Sequence, residues 1–336
     1  MEKVDWAGID VSARTLVVEL ERAGDRLQRV YANDAEGHRA LCRWLTKRGR
    51  TSRVCLEATG VYHLDAALAL ARTAGVEVMV VNPAVMRTFA RALVQRSKTD
   101  AQDASVHLEY ARRMPFVPWQ PPAPEIFELR AIARRIQALV EAMTAERNRL
   151  HAAQAHEGTS VLLTADIEAH LAHLEQSVER LERAAQAVIE KSPLLKRRFT
   201  QLDSVPGIAE RSAIRILAEL AALPADMNVR EWVAYAGIDP AHHQSGTSVK
   251  RPSRISRKGN RVLRTALYMP ALVAIQSDPA VRTFYERLLG RGKKKLQAIV
   301  AVMRKLLHAI FGMFVSDTDF DSRRFCGPAP AVQATS

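Results

Sequence analysis

Four acidic side chains stand where carboxylates are costly or closely spaced. Asp10 lies inside the apolar run "AGIDVS", a setting that penalises a charge unless something compensates it. Glu57 closes a second apolar run, "VCLEATG", just before the glycine that opens a loop. In "KTDAQDA", Asp100 and Asp103 are three residues apart and project from one face of a helical turn. Brought together, four carboxylates repel one another unless hard cations sit among them. Mg²⁺ takes oxygen ligands of this kind, and two such ions about 4 Å apart can activate and stabilise displacement at a phosphodiester. Taken singly, each acid has a plainer reading. Asp100 caps the helix that begins there, Asp103 is a first-turn acid, Glu57 ends a strand in solvent and Asp10 closes a turn. The ordered set is what favours the metal reading.

The elements needed to gather these residues are legible. "WAGIDVSARTLVVELE" reads as two strands around a turn and "RLQRVYAN" as a third at hairpin spacing, an antiparallel meander. A helical stretch at about 35–48 precedes the strand "RVCLEA", the helix "VYHLDAALALARTA", the strand "VEVMVVN" and two helical runs between about 84 and 113. Three antiparallel strands followed by strand–helix alternation is the order of an α/β, ribonuclease-H-like sheet. There the first and fourth strands are neighbours, and Asp10 and Glu57 emerge side by side. The five prolines of "MPFVPWQPPAPE" (114–125) end the helical pattern and place a boundary. Beyond it, Leu129, Ile132, Ile136, Leu139, Met143 and Leu150 keep a three-four alternation broken only at Glu146, and Ile167 to Val188 keep it unbroken. These are two coiled-coil-type helices hinged at "HEGTS" (156–160), either closing their own core or reaching a partner. A mainly helical part follows from about 199. The expected layout is 1–114 catalytic, 115–198 proline-rich linker and coiled coil, 199–315 a second globular domain, and 316–336 a tail.

Among 336 residues, 49 Lys and Arg against 36 Asp and Glu leave a formal charge of +13, which favours a polyanionic partner. Residues 250–264, "KRPSRISRKGNRVLR", concentrate Lys250, Arg251, Arg254, Arg257, Lys258, Arg261 and Arg264 with no acid among them. Cys42, Cys55 and Cys326 form no CxxC pair, which fits a reducing compartment and excludes a cysteine-based zinc site. With no apolar run of about 18 residues, the chain reads as soluble and intracellular.

The order "GIDVS", "LEATGVY", "VVNPA", "KTDAQDA", "LDSVPGIAE", "YAGIDP", "QSGTSVKRPSRISRKGN" and "LRTALYMPALVA" closely resembles the insertion-sequence one-ten family of DEDD transposases across nearly the whole chain. The resemblance implies a RuvC-like domain carrying Asp10, Glu57, Asp100 and Asp103 as metal ligands, a coiled coil, and a transposase domain supplying a catalytic serine, which falls at Ser245. It further implies Mg²⁺ as cofactor, with Mn²⁺ able to substitute. Strand exchange would pass through a covalent phosphoserine, guided by a structured bridge RNA that pairs with donor and target duplex DNA. Dimers assembling to tetramers in the prokaryotic cytosol complete the expectation. Gly246 beside Ser245 permits close backbone approach, and Lys250, Arg251 and Arg254 follow as phosphate ligands. Thr247 and Ser248 are rival nucleophiles, and His242 and His243 read as loop residues or a general acid and base. "LDSVPGIAE" has the form of a helix-hairpin-helix phosphate site with Ala209 in place of its second glycine. Two other readings are a junction nuclease that uses the same carboxylates with water, and a non-catalytic nucleic-acid scaffold.

Overall fold

Period-two burial writes the sheet. In Val4–Val11 (β1) and Thr15–Arg22 (β2), buried Ala7, Ile9, Val11, Leu16, Val18 and Leu20 turn to one side. The two strands pair antiparallel, with Asp10 opposite Val17, and β2 pairs antiparallel with the exposed edge strand Asp25–Ala32 (β3). After Ala35–Leu45 (α1), capped by Asp34, the strand Thr51–Glu57 (β4) runs parallel to β1. Leu64–Ala71 (α2) then leads to Val76–Val81 (β5), parallel to β4. The result is a five-stranded mixed sheet in the order β3-β2-β1-β4-β5. Helix α2 starts three residues later than the sequence pattern places it, because Gly60, at φ +56°, and a turn closed by Leu64 N–H to Val61 C=O intervene.

Each sheet face has its own core. Ile9, Leu16, Leu20 and Leu56 pack with Leu41 and Leu45 of α1 and Leu70 of α2. Cys55, Met79 and Val81 pack on the other face with Met86 of Pro83–Ala92 (α3) and with Val106 and Ala111 of Asp100–Arg113 (α4).

The computed structural model describes residues 4–58, 60–93, 99–241, 244–245, 249–250 and 254–324, with 241, 244–245, 249–250, 254 and 324 described by backbone alone. The chain divides into two units, 1–121 and 122–336.

The second unit begins with two long helices, Pro124–Gln154 (α5) and Val161–Glu190 (α6). Their seam is closed within the chain: Leu129, Ile136, Leu139 and Met143 are buried with Ile167, Leu171, Leu174 and Val178. The short connection from Gln154 to Val161 makes the pair antiparallel, and Arg147–Glu175, at 2.8 Å, and His170–Glu146, at 3.5 Å, bridge it. Glu146, where the heptad breaks, is buried and satisfied by Arg149 and His170. Pro193–Asp203 (α7), Glu210–Leu220 (α8) and Val229–Ala236 (α9) follow. Four two-residue strands interrupt this helical part, which the sequence pattern does not foretell: Pro240–Ala241 (β6), Gln244–Ser245 (β7), Val249–Lys250 (β8) and Arg254–Ile255 (β9). They pair antiparallel as β6 with β9 and β7 with β8. Arg261–Ser277 (α10), Pro279–Gly290 (α11) and Lys295–Ser316 (α12) complete the unit. Helix α12 is long and apolar enough to cross a membrane by length and composition. Yet Val302, Leu306, Leu307 and Ile310 are buried in the unit's core, and Phe311 and Phe314 stand edge-on to Trp232.

Candidate active site and nucleic-acid interface

Sheet polarity brings the first two acids together. β1 and β4 run parallel with Ile9 beside Leu56, so Asp10 and Glu57, one residue further, stand at the carboxyl ends of adjacent strands. Both belong to the sheet face that α4 covers. Gly8 lets α4 come that close: a Cβ there would overlap the Ala104 carbonyl oxygen and the Leu108 nitrogen. Thr99, with extended backbone, caps α4 by accepting from Gln102 N–H at 3.3 Å. The cap is therefore Thr99, and Asp100 and Asp103 are the acids of the first turn.

Asp10, Glu57 and Asp103 line one pocket of about 370 Å³ with Val11, Pro83, Met86, Arg87, Ala90, Val106 and His107. Asp100 is exposed beside that pocket and acts on Asp10 through charge. Burial pushes the Asp10 carboxyl up, the facing His107 opposes this, and the charges of Asp103, Asp100 and Glu57 push it up again; the net shift is upward. His107 is buried, with Nε2 at 3.9 Å from Glu57 Oε2, and its Nδ1 has no hydrogen-bond partner among the described residues. The donors are the oxygens a hard cation takes, and the mutual repulsion felt by Asp10 is what a cation would relieve. They stand around the pocket rather than at one point: among the described residues, no three His, Cys, Asp or Glu side chains are gathered tightly enough to hold one ion.

The second set of residues lies in the other unit. Ser245 ends β7, paired with Val249 of β8, and is described by its backbone. Lys250 and Arg254 are likewise described by backbone, while Arg251, His242, His243, Thr247 and Ser248 lie outside the described residues. Arg257, Lys258 and Arg261 are exposed. Arg264 is partly buried and donates from Nη1 to the Ala236 carbonyl at 2.9 Å, so it also ties α10 to the end of α9. Burial and the charges of Arg257 and Arg261 lower its pKa.

Comparison with known families decides the identity. A transposase family model of the DEDD, IS110 type matches residues 7–155, and the model "Transposase IS116/IS110/IS902 family" matches residues 200–286. The chain belongs to the IS110 family of transposases. It is 28% identical over 322 residues to the pilin gene-inverting protein of Moraxella bovis, covering 95% of this chain and 98% of that one. It is 29% identical over 170 residues to the 43.6 kDa protein of insertion element IS110 from Streptomyces coelicolor, covering 51% of this chain and 41% of that protein. The 42 kDa protein of insertion element IS900 from Mycobacterium paratuberculosis is 31% identical over 155 residues, covering 45% of this chain and 38% of its own length.

DNA is the substrate class of a transposase. The hairpin between α7 and α8 is packed inward: Gly207, at φ +89°, lies against α10, where a Cβ would come within 2.6 Å of the Pro270 carbonyl. Arg211, its side chain partly exposed, pairs with Glu182, and Arg215 is buried. Two features escape the sequence reading. His107 falls on the face of Asp100 and Asp103 at i+7 and i+4, a spacing that could have found it. Glu219, wholly buried, carries no sequence signal beyond an acid in an apolar helix.

Proposed function

We propose that this transposase cuts and rejoins DNA at the acidic pocket, with Asp10, Glu57, Asp100 and Asp103 holding Mg²⁺ and Ser245 acting as nucleophile. The observation that carries the reading is the gathering of Asp10, Glu57 and Asp103 around one pocket, with Asp100 close enough to act on Asp10. The β3-β2-β1-β4-β5 order, with acids at the carboxyl ends of β1 and β4, supports a ribonuclease-H-like, RuvC-like domain. The layout is a catalytic domain at 1–114, linker and coiled coil at 115–198, a transposase domain at 199–315 and a tail.

The bound cation would neutralise the charge that builds on the phosphoryl oxygens and make a hydroxyl easier to ionise. The serine supplies the rest. Ser245 loses its hydroxyl proton, its Oγ bonds to phosphorus, and the bond to the departing sugar oxygen breaks as that oxygen takes up a proton. The phosphoserine conserves the bond energy, and the reverse reaction with a second strand end completes exchange. Lys250, Arg251, Arg254, Arg257, Lys258, Arg261 and Arg264 hold the backbone of the nucleic acid. The pilin gene-inverting relative, aligned over almost its full length, supports conservative recombination. Target choice is assigned to a bridge RNA paired with donor and target, which leaves the protein to read shape and charge, as in other guided systems. Dimers assembling to tetramers in the cytoplasm bring the two half-sites together.

The test is Mg²⁺-dependent joining of donor and target duplexes by the complex purified from cells that carry the native flanking DNA. Joining is expected to vanish in Ser245→Ala and in Asp103→Asn, with RNA binding retained in both. Cutting that survives Ser245→Ala would leave a water-using metal nuclease.

A further inference from the structure

Glu219 is wholly buried in the last turn of α8, the helix end that disfavours a negative charge. Five donor contacts converge on it. Arg134 donates from Nε at 2.7 Å and from Nη2 at 3.2 Å, Arg130 from Nε at 3.1 Å, Asn260 from Nδ2 at 2.6 Å and Tyr235 from its hydroxyl at 3.3 Å. These donors come from three elements: α5 of the long hairpin, α9, and the cap of α10. Burial pushes Glu219 up, and the hydrogen bonds and charges of Arg134 and Arg130 outweigh it, leaving its pKa lowered and the carboxylate ionised.

A buried ion cluster of this kind is weak as a source of stability, since desolvation cancels most of its attraction; its use lies in fixing one arrangement. The arrangement fixed here is the root of the segment that carries Ser245. Asn260 caps α10 by accepting from Leu263 N–H at 3.0 Å, donates from Nδ2 to the Tyr235 hydroxyl at 2.7 Å as well as to Glu219, and donates its own N–H to the Tyr235 carbonyl. Ser256 N–H donates to Asp239 at 2.9 Å and Arg257 N–H to Gly237 at 3.2 Å, just inside the β6/β9 pair. Arg257 sits at φ +53°, a conformation a non-glycine residue keeps only where its surroundings over-determine it. A Cβ on Gly259 would overlap the Tyr235 carbonyl, so the two ends of the segment touch backbone to backbone.

The geometry points to Glu219 and Asn260 as positioning residues for strand exchange: together with Arg130, Arg134 and Tyr235 they form a latch that locks the root of the serine-bearing segment to the long hairpin. This rests on the reading of Ser245 as nucleophile. A misplacement of about 1 Å at a reacting group can cost on the order of a hundredfold in rate, so the latch is visible in activity before it is visible in stability.

The test compares Asn260→Ser and Asn260→Asp in the intact chain. Asn, Ser and Asp all cap helices well, so α10 keeps its cap in each. Only the parent has the amide N–H that reaches Glu219; Ser offers a shorter hydroxyl, and Asp sets a second carboxylate against it. Excision of the native element in cells is expected to fall about tenfold in Asn260→Ser and further in Asn260→Asp. Amide exchange at 256–260 should accelerate in the same order, with α12 and the melting temperature unmoved. Equal excision in all three would mean Asn260 is only a cap and would overturn the latch; so would exchange that rises equally in α12. Glu219→Gln, which keeps shape and removes charge, should reproduce the local acceleration at 256–260. Excision that survives Ser245→Ala overturns the serine reading alone, and the amide exchange then still decides the latch.

Discussion

At the scale of single residues, the pocket depends on one missing methyl group as much as on its acids. Gly8 lies where the α4 backbone crosses β1, and nothing in its surroundings can yield, because the atoms in the way are a carbonyl oxygen and an amide nitrogen. Gly8→Ala is expected to destabilise the first unit by about 3 kcal/mol, read by chemical denaturation, and to lower strand exchange by moving Asp100 and Asp103 away from Asp10. Thr99→Ala removes the cap of the same helix and should cost about 1 kcal/mol. Thr99 is legible as a cap only when the backbone is seen. In the sequence, Thr99 and Asp100 are both good caps, and the extended conformation of Thr99 settles which one serves.

At the scale of elements, strand and helix periodicity carried most of the information. The meander, the β4-α2-β5 alternation and both long helices follow from apolar spacing, since burial of one face is what each element needs. The hairpin shows where spacing stops: it gives an apolar seam and one acid within it, and packing decides that α5 and α6 close that seam themselves. Glu146→Leu should continue the seam. The Glu146 partners Arg149 and His170 are themselves exposed, so the change strands no buried charge, and the melting temperature is expected to hold or rise. A clear fall would show that the contacts of Glu146 with Arg149 and His170 contribute more than its burial costs. The short strands around Ser245 were not legible, because two-residue pairs have no period to read.

At the scale of the whole molecule, charge governs both partner and stability. With a formal charge of +13 and seven cations between 250 and 264, nucleic-acid binding should weaken steeply with salt as counterions are released. An affinity that hardly changed between low and physiological salt would remove the patch as the contact. Acid should unfold the protein by a specific route. Asp5, held between Arg22 and Arg50, Glu109, held by Arg26 and Arg113, and Glu219 are all pushed up by burial and pulled down further by their arginines, so each has a folded-state pKa below its unfolded one. Their stabilisation is present above the ordinary carboxylate range, about 4, and is lost as pH falls through the lowered folded values. A denaturation midpoint that held steady through that range would contradict this. The sequence by itself determined the five strands of the sheet, the two long helices, the cationic stretch and the four acids, because each rests on local spacing or on residue type. Only the tertiary structure decided that Asp10, Glu57 and Asp103 share a pocket with His107, that Thr99 does the capping, and that Glu219 joins three helices. Those facts depend on strand polarity, on the approach of α4 at Gly8, and on packing between residues far apart in the chain, none of which has a local signature.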